Sequence, residues 1–96
     1  MLSLSQEVHR LKYISCKWRF FKDLFTKVTK CWYVKNIELD EVNNVGTFKK
    51  VYKIGGIKLE SKVLMEAIWE EEVLENDKMK ITVYVQESKP NKEAEV

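Results

Sequence analysis

Glycine, proline, histidine and cysteine are all scarce in this chain of 96 residues, and each scarcity removes a class of function. Of the three glycines, only Gly55-Gly56 are adjacent, and they lack the following Lys-Ser/Thr that a phosphate-cradling loop needs, so they read as a tight turn. His9 is the one histidine and no glycine-flanked serine accompanies it, which leaves a hydrolytic triad without its parts. Cys16 and Cys31 match no paired zinc-ligand spacing. On a continuous helix they would stand ~22 Å apart, too far for a disulfide, so both are expected to be free thiols. The expectation is a protein with no catalytic residues, no metal and no cofactor.

Long apolar runs are also missing. No uncharged stretch approaches the ~20 residues that span a bilayer, and the opening residues place no cationic region before a hydrophobic one. The cytoplasm is the default compartment. The single proline, Pro90, sits in a charged terminal stretch, so residues 88–96 are expected to form a disordered tail after one small domain over 1–87.

What the chain does have is aromatic bulk and charge. Three Trp, four Tyr and four Phe supply a core, within a composition of 45% hydrophobic and 33% charged residues that suits a globular domain. The formal charge of +2 conceals an asymmetry. Residues 1–35 carry eight Lys or Arg against two acids, whereas the remainder carries nine Lys against thirteen acids. A basic region and an acidic one can pair within the chain, between copies, or with a foreign partner.

The strongest pattern lies between Leu4 and Trp32. Leu4, Leu11, Trp18, Phe25 and Trp32 recur every seven residues with Ile14, Phe21 and Val28 interleaved, and no Gly or Pro interrupts residues 3–45. This predicts a long amphipathic helix, starting at Ser3 or Ser5 and ending near Lys30. Tyr13 and Leu24 widen its apolar arc to about 160°, more than the ~100° stripe that one core contact requires. The surplus is available to a partner. Lys12, Arg19, Lys27 and Lys30 form a basic ridge on the opposite side.

Farther along, residues 31–42 alternate as a first strand, Asn43-Asn44-Val45-Gly46 turns the chain, and Thr47–Ile54 returns as a second. Residues 57–75 support two readings. Their alternation fits a strand throughout, while the Leu, Met, Ala and Glu of 62–75 favour a helix capped by Ser61 after a short strand to Glu60. The second is preferred here. Met79, Ile81, Val83 and Val85 then alternate as a final strand. The fold class expected is α+β: a long N-terminal helix on a three- or four-stranded antiparallel sheet, with a second helix before the last strand.

The acidic cluster Glu70, Glu71, Glu72, Glu75 and Asp77 has no EF-hand spacing and reads as a solvated face. The function expected is a small non-catalytic binding protein, of regulator or inhibitor type, that occupies a macromolecular partner's surface and assembles as a homo-oligomer. Trp18, Phe21 and Phe25 are the candidate apolar anchors, and Arg19, Lys12, Lys27 and Lys30 the charged rim. The alternative is a nucleic-acid-binding regulator that uses the basic ridge. A membrane-surface role is disfavoured, because the strands need the same apolar surface.

Overall fold

A computed structural model describes residues 2–88. Its elements are β1 (Leu2–His9), α1 (Arg10–Ser15), α2 (Lys17–Thr29), β2 (Tyr33–Asp40), β3 (Val45–Ile54), β4 (Ile57–Val73) and β5 (Lys78–Glu87). The five strands form one antiparallel sheet in the order β1-β5-β4-β3-β2. The chain thus lays down one edge, carries the helices across a face, and meanders back from the far edge until β5 pairs with β1.

This architecture corrects the expected long helix on a smaller sheet. Residues 2–9 are a strand, and the helical part begins only at Arg10. The reason is visible in Leu-Ser-Leu-Ser-Gln-Glu-Val-His: Leu2, Leu4 and Val8 alternate with polar residues, and serines are poor helix formers. Leu4 satisfied the heptad spacing and the period-two spacing together. Pairing with β5 along the whole of residues 2–9 decides for the strand. The helical stretch is also broken at Cys16 (φ −127°, ψ 35°), which ends α1 and starts α2.

The expected helix over 62–75 is likewise absent. β4 spans seventeen residues, paired with β3 over residues 57–68, with a register shift opposite Lys50, and with β5 over residues 65–73. Helix propensity is worth only a few tenths of a kcal/mol per residue, and a central position in a sheet overrides it. Met65, Ala67 and Trp69 point into the core while Glu66, Ile68 and Glu70 face away, as strand alternation requires. Turns fall where the polar and glycine residues placed them. Asn44, Gly55, Gly56, Asn76 and Asp77 all take positive φ, and the Gly55-Gly56 pair (58° and 82°) closes the β3–β4 hairpin. Of the tail expected over 88–96, only Ser88 is described, its N–H donating to the Leu64 carbonyl at 2.8 Å; the rest lies outside the described residues.

The core fills the space between the helices and one face of the sheet. Phe21, Leu24, Phe25 and Val28 recur at helical spacing along α2, and all are buried against Val34, Phe48, Met65, Ala67, Trp69, Ile81, Val83 and Val85. Phe25 stacks on Phe48 with ring centroids 4.5 Å apart, and Phe21 lies 4.4 Å from Trp69. Small residues allow this closeness. A Cβ on Gly46 would stand 3.0 Å from Leu39 Cδ2 and 3.4 Å from Phe25 Cζ, so α2 settles where β3 has no side chain.

Candidate binding surface

Local sequence fixes how the helices present their outer side. The His9 ring caps α1, its Nδ1 accepting the Leu11 N–H at 3.3 Å. At the joint, the Cys16 N–H donates to the Lys12 carbonyl and the Phe20 N–H to the Cys16 carbonyl, each at 2.9 Å. The two short helices are therefore linked by hydrogen bonds although the backbone kinks. At the other end, Lys30 takes the left-handed conformation (φ 55°) that stops α2.

With Phe21, Leu24, Phe25 and Val28 turned inward, three large apolar residues remain outside. Leu11 is 69% exposed, Ile14 60% and Trp18 54%. Leu11 and Ile14 lie three apart on α1, and Trp18 follows in the first turn of α2 across the Cys16 joint. The Lys22 ammonium stands 5.5 Å from the centre of the Trp18 ring, holding one side of the indole by a cation–π contact.

Beside this apolar group runs a groove of about 240 Å³ between β1 and the helices. Gln6 and Val8 line it from the strand, and Lys12, Cys16, Arg19, Phe20, Asp23 and Lys27 from the helices. Lys27 Nζ donates to Gln6 Oε1 at 3.4 Å. Among the described residues, Lys12, Arg19 and Lys27 have no ion-pair partner within 4 Å. Their charges are open to a bound anion.

A polar cluster anchors the joint to the sheet. The Tyr13 hydroxyl donates to Glu71 Oε2, Lys17 bridges Glu71 at 3.3 Å and Glu41 at 3.4 Å, and the Lys17 ammonium sits 4.9 Å from the Tyr13 ring centre. Burial first, and then the Glu71 carboxylate it faces, push the Tyr13 hydroxyl far above the usual tyrosine range. Partial desolvation pushes the Glu71 carboxyl up, but the Tyr13 hydroxyl and the Lys17 ammonium outweigh it and hold Glu71 below the usual carboxylate range. The Trp69 indole Nε1 is buried at this same cluster without a well-formed hydrogen bond.

The sequence-derived candidates therefore separate. Trp18 is exposed, and Lys12, Arg19 and Lys27 converge on the groove. Lys30 is exposed at the helix terminus and does not line it. Phe21 and Phe25, expected as anchors, are 0% exposed and spend their surface on the core, so they are removed from the binding set. Leu11 and Ile14 take their place. Their signal was the surplus width of the apolar arc, which the sheet leaves uncovered.

No group of three or more His, Cys, Asp or Glu placed to hold a metal occurs among the described residues. Cys16 is exposed, and the half-buried Cys31 thiol donates to the Tyr33 carbonyl at 3.3 Å. No helix among the described residues is long and apolar enough to cross a membrane. Comparison with protein-family models, with curated proteins and with solved structures returned no match for this chain.

Proposed function

We propose that this chain is a non-catalytic binding protein that occupies the surface of a protein partner with the outer side of α1 and α2. Trp18 is the anchor, Leu11 and Ile14 extend the apolar contact, and Lys12, Arg19 and Lys27 form a cationic rim that suits an acid-bordered patch. One observation carries this reading. The same two helices that bury five residues (Tyr13, Phe21, Leu24, Phe25 and Val28) leave a tryptophan and two branched aliphatics more than half exposed. A large aromatic among cations is the composition in which interface hot spots concentrate.

Capture from a native cell extract tests it. A protein retained by the wild type after nuclease treatment, lost with Trp18→Glu and kept with Val42→Glu, supports the reading. Val42 is 92% exposed in the β2–β3 turn and serves as the surface control. Equal retention by Trp18→Glu and the wild type overturns it.

A second reading, a nucleic-acid-binding regulator, is favoured by the convergence of Lys12, Arg19 and Lys27 on one groove. Three phosphate contacts would give a log Kd that changes by about 2 to 3 per tenfold change in salt. Absence of oligonucleotide binding at low salt removes this reading.

A further inference from the structure

The two edges of the sheet are built differently. β2, at one edge, carries the charged residues Lys35, Glu38 and Asp40, and it bulges at Asn36 (φ 55°), where its register with β3 shifts. Both devices discourage a further strand from adding there. β1, at the other edge, has no bulge and only one Asp, Glu, Lys or Arg. It pairs with β5 without a register shift from Leu2 to His9, it contains no Gly, Pro or Lys, and Glu7 is its one charged residue at neutral pH. Among the described residues, no strand of the sheet is hydrogen-bonded to its outer edge.

We infer that β1 pairs with β1 of a second copy, antiparallel about a two-fold axis, to give a continuous ten-stranded sheet. The side chains of β1 select the register. Leu4 and Val8 pack against the core and Gln6 is half-buried beside them, while Ser3, Ser5, Glu7 and His9 face the solvent. Residues opposed across an antiparallel pair must lie on the same side of the sheet, so a residue, not a peptide bond, sits on the axis. With Gln6 there, residues 3–9 all pair. Leu4 meets the partner's Val8 on the core side; Ser5 meets the partner's Glu7 and Ser3 the partner's His9 on the other side. Centring on Ser5 instead opposes Leu4 to the partner's Gln6. The Gln6-centred register sets apolar against apolar and brings no like charges opposite one another.

One cost accompanies the contact. Each Lys27 ammonium lies on a Gln6 amide, so two cations flank the axis. Salt screens them, and self-association should therefore strengthen as ionic strength rises, opposite to the behaviour expected for polyanion binding.

The β1 pairing leaves Leu11, Ile14 and Trp18 outside the contact and meets the proposed rim only at Lys27, so the pairing and the Trp18 anchor can fail separately. Sedimentation equilibrium of the wild type is expected to show a dimer at tens of micromolar. Ser5→Glu places a glutamate opposite the partner's Glu7 at both symmetry-related positions, and dissociation should become at least tenfold easier. Ser5→Lys opposes unlike charges and should keep the dimer, as should Trp18→Glu. The double variant Ser5→Glu with Glu7→Lys should restore it. Ser5→Lys with Glu7→Lys opposes two lysines and should dissociate, so the test does not depend on one variant folding. Ser5 is exposed and loses only its bond to Thr82 Oγ1, and circular dichroism checks that each variant keeps its sheet. A wild type monomeric at all concentrations overturns the inference, as does equal dissociation by Ser5→Glu and Ser5→Lys.

Discussion

Phe21 and Trp18 are three positions apart on one helix, and replacing each by alanine should cost very different amounts of stability. Phe21 is fully buried, with rings of Trp69, Phe25, Phe20 and Tyr13 between 4.4 and 6.0 Å from its own. Phe21→Ala deletes a core ring among neighbours that relax only in part, a change that costs about 3–5 kcal/mol. A domain of this size has roughly 5–15 kcal/mol in total, so the variant loses a large fraction of its stability. Its midpoint should fall by on the order of 15–25 °C. Trp18→Ala removes a ring that is more than half in solvent, and about 1 kcal/mol or less is expected. Urea titrations followed by circular dichroism measure both. Similar losses for the two variants would refute the division of this helix into a core side and a binding side. A loss below about 1 kcal/mol for Phe21→Ala would refute the packing itself.

Other perturbations probe the parts that position this surface. Tyr13→Phe should cost about 1–2 kcal/mol, because it removes a hydrogen bond to a charged and partly exposed carboxylate; a cycle with Glu71→Gln should show the two changes to be non-additive. Glu71 is held below its ordinary value in the fold, so its contribution is complete above the unfolded-state value near 4.5 and declines as pH falls through the folded one. Acid titration of Glu71→Gln should lack that part of the decline. Tyr13 is shifted upward, so its contribution is complete below about pH 10 and erodes above it, and Tyr13→Phe should flatten the alkaline limb. Gly56→Ala should destabilise by about 1 kcal/mol, since its φ of 82° strains any side chain although the space is open; an unchanged urea midpoint would contradict the turn geometry.

Much of the sheet was legible because its punctuation is local. Asn43-Asn44, Gly55-Gly56 and Asn76-Asp77 are turn chemistry wherever they stand, and alternation from Met79 to Val85 had no competitor. The end of the first helix near Lys30 was legible, but its start was not, because Leu4 serves a seven-residue and a two-residue period equally well. Its strand state is set by β5, seventy residues or more away in the sequence. For residues 62–75, alternation and propensity disagreed, and the central place of β4 between two partners resolved them. The basic members of the surface were readable as a ridge, since Lys12 on one side of the Cys16 joint and Arg19 and Lys27 on the other keep roughly helical spacing although the helix is broken between them. Which aromatics are spent on the core was not readable, because Trp18, Phe21 and Phe25 all fall within one wide arc. Only the sheet beneath distinguishes them.

The reading of the Trp18 face can be tested inside the cell of origin. A photo-crosslinking amino acid in place of Trp18, compared with the same group in place of Val42, reports what touches each position on irradiation. A discrete protein adduct from position 18, nuclease-resistant and absent from position 42, is the predicted result. No adduct from position 18, or the same adducts from both positions, would contradict the account.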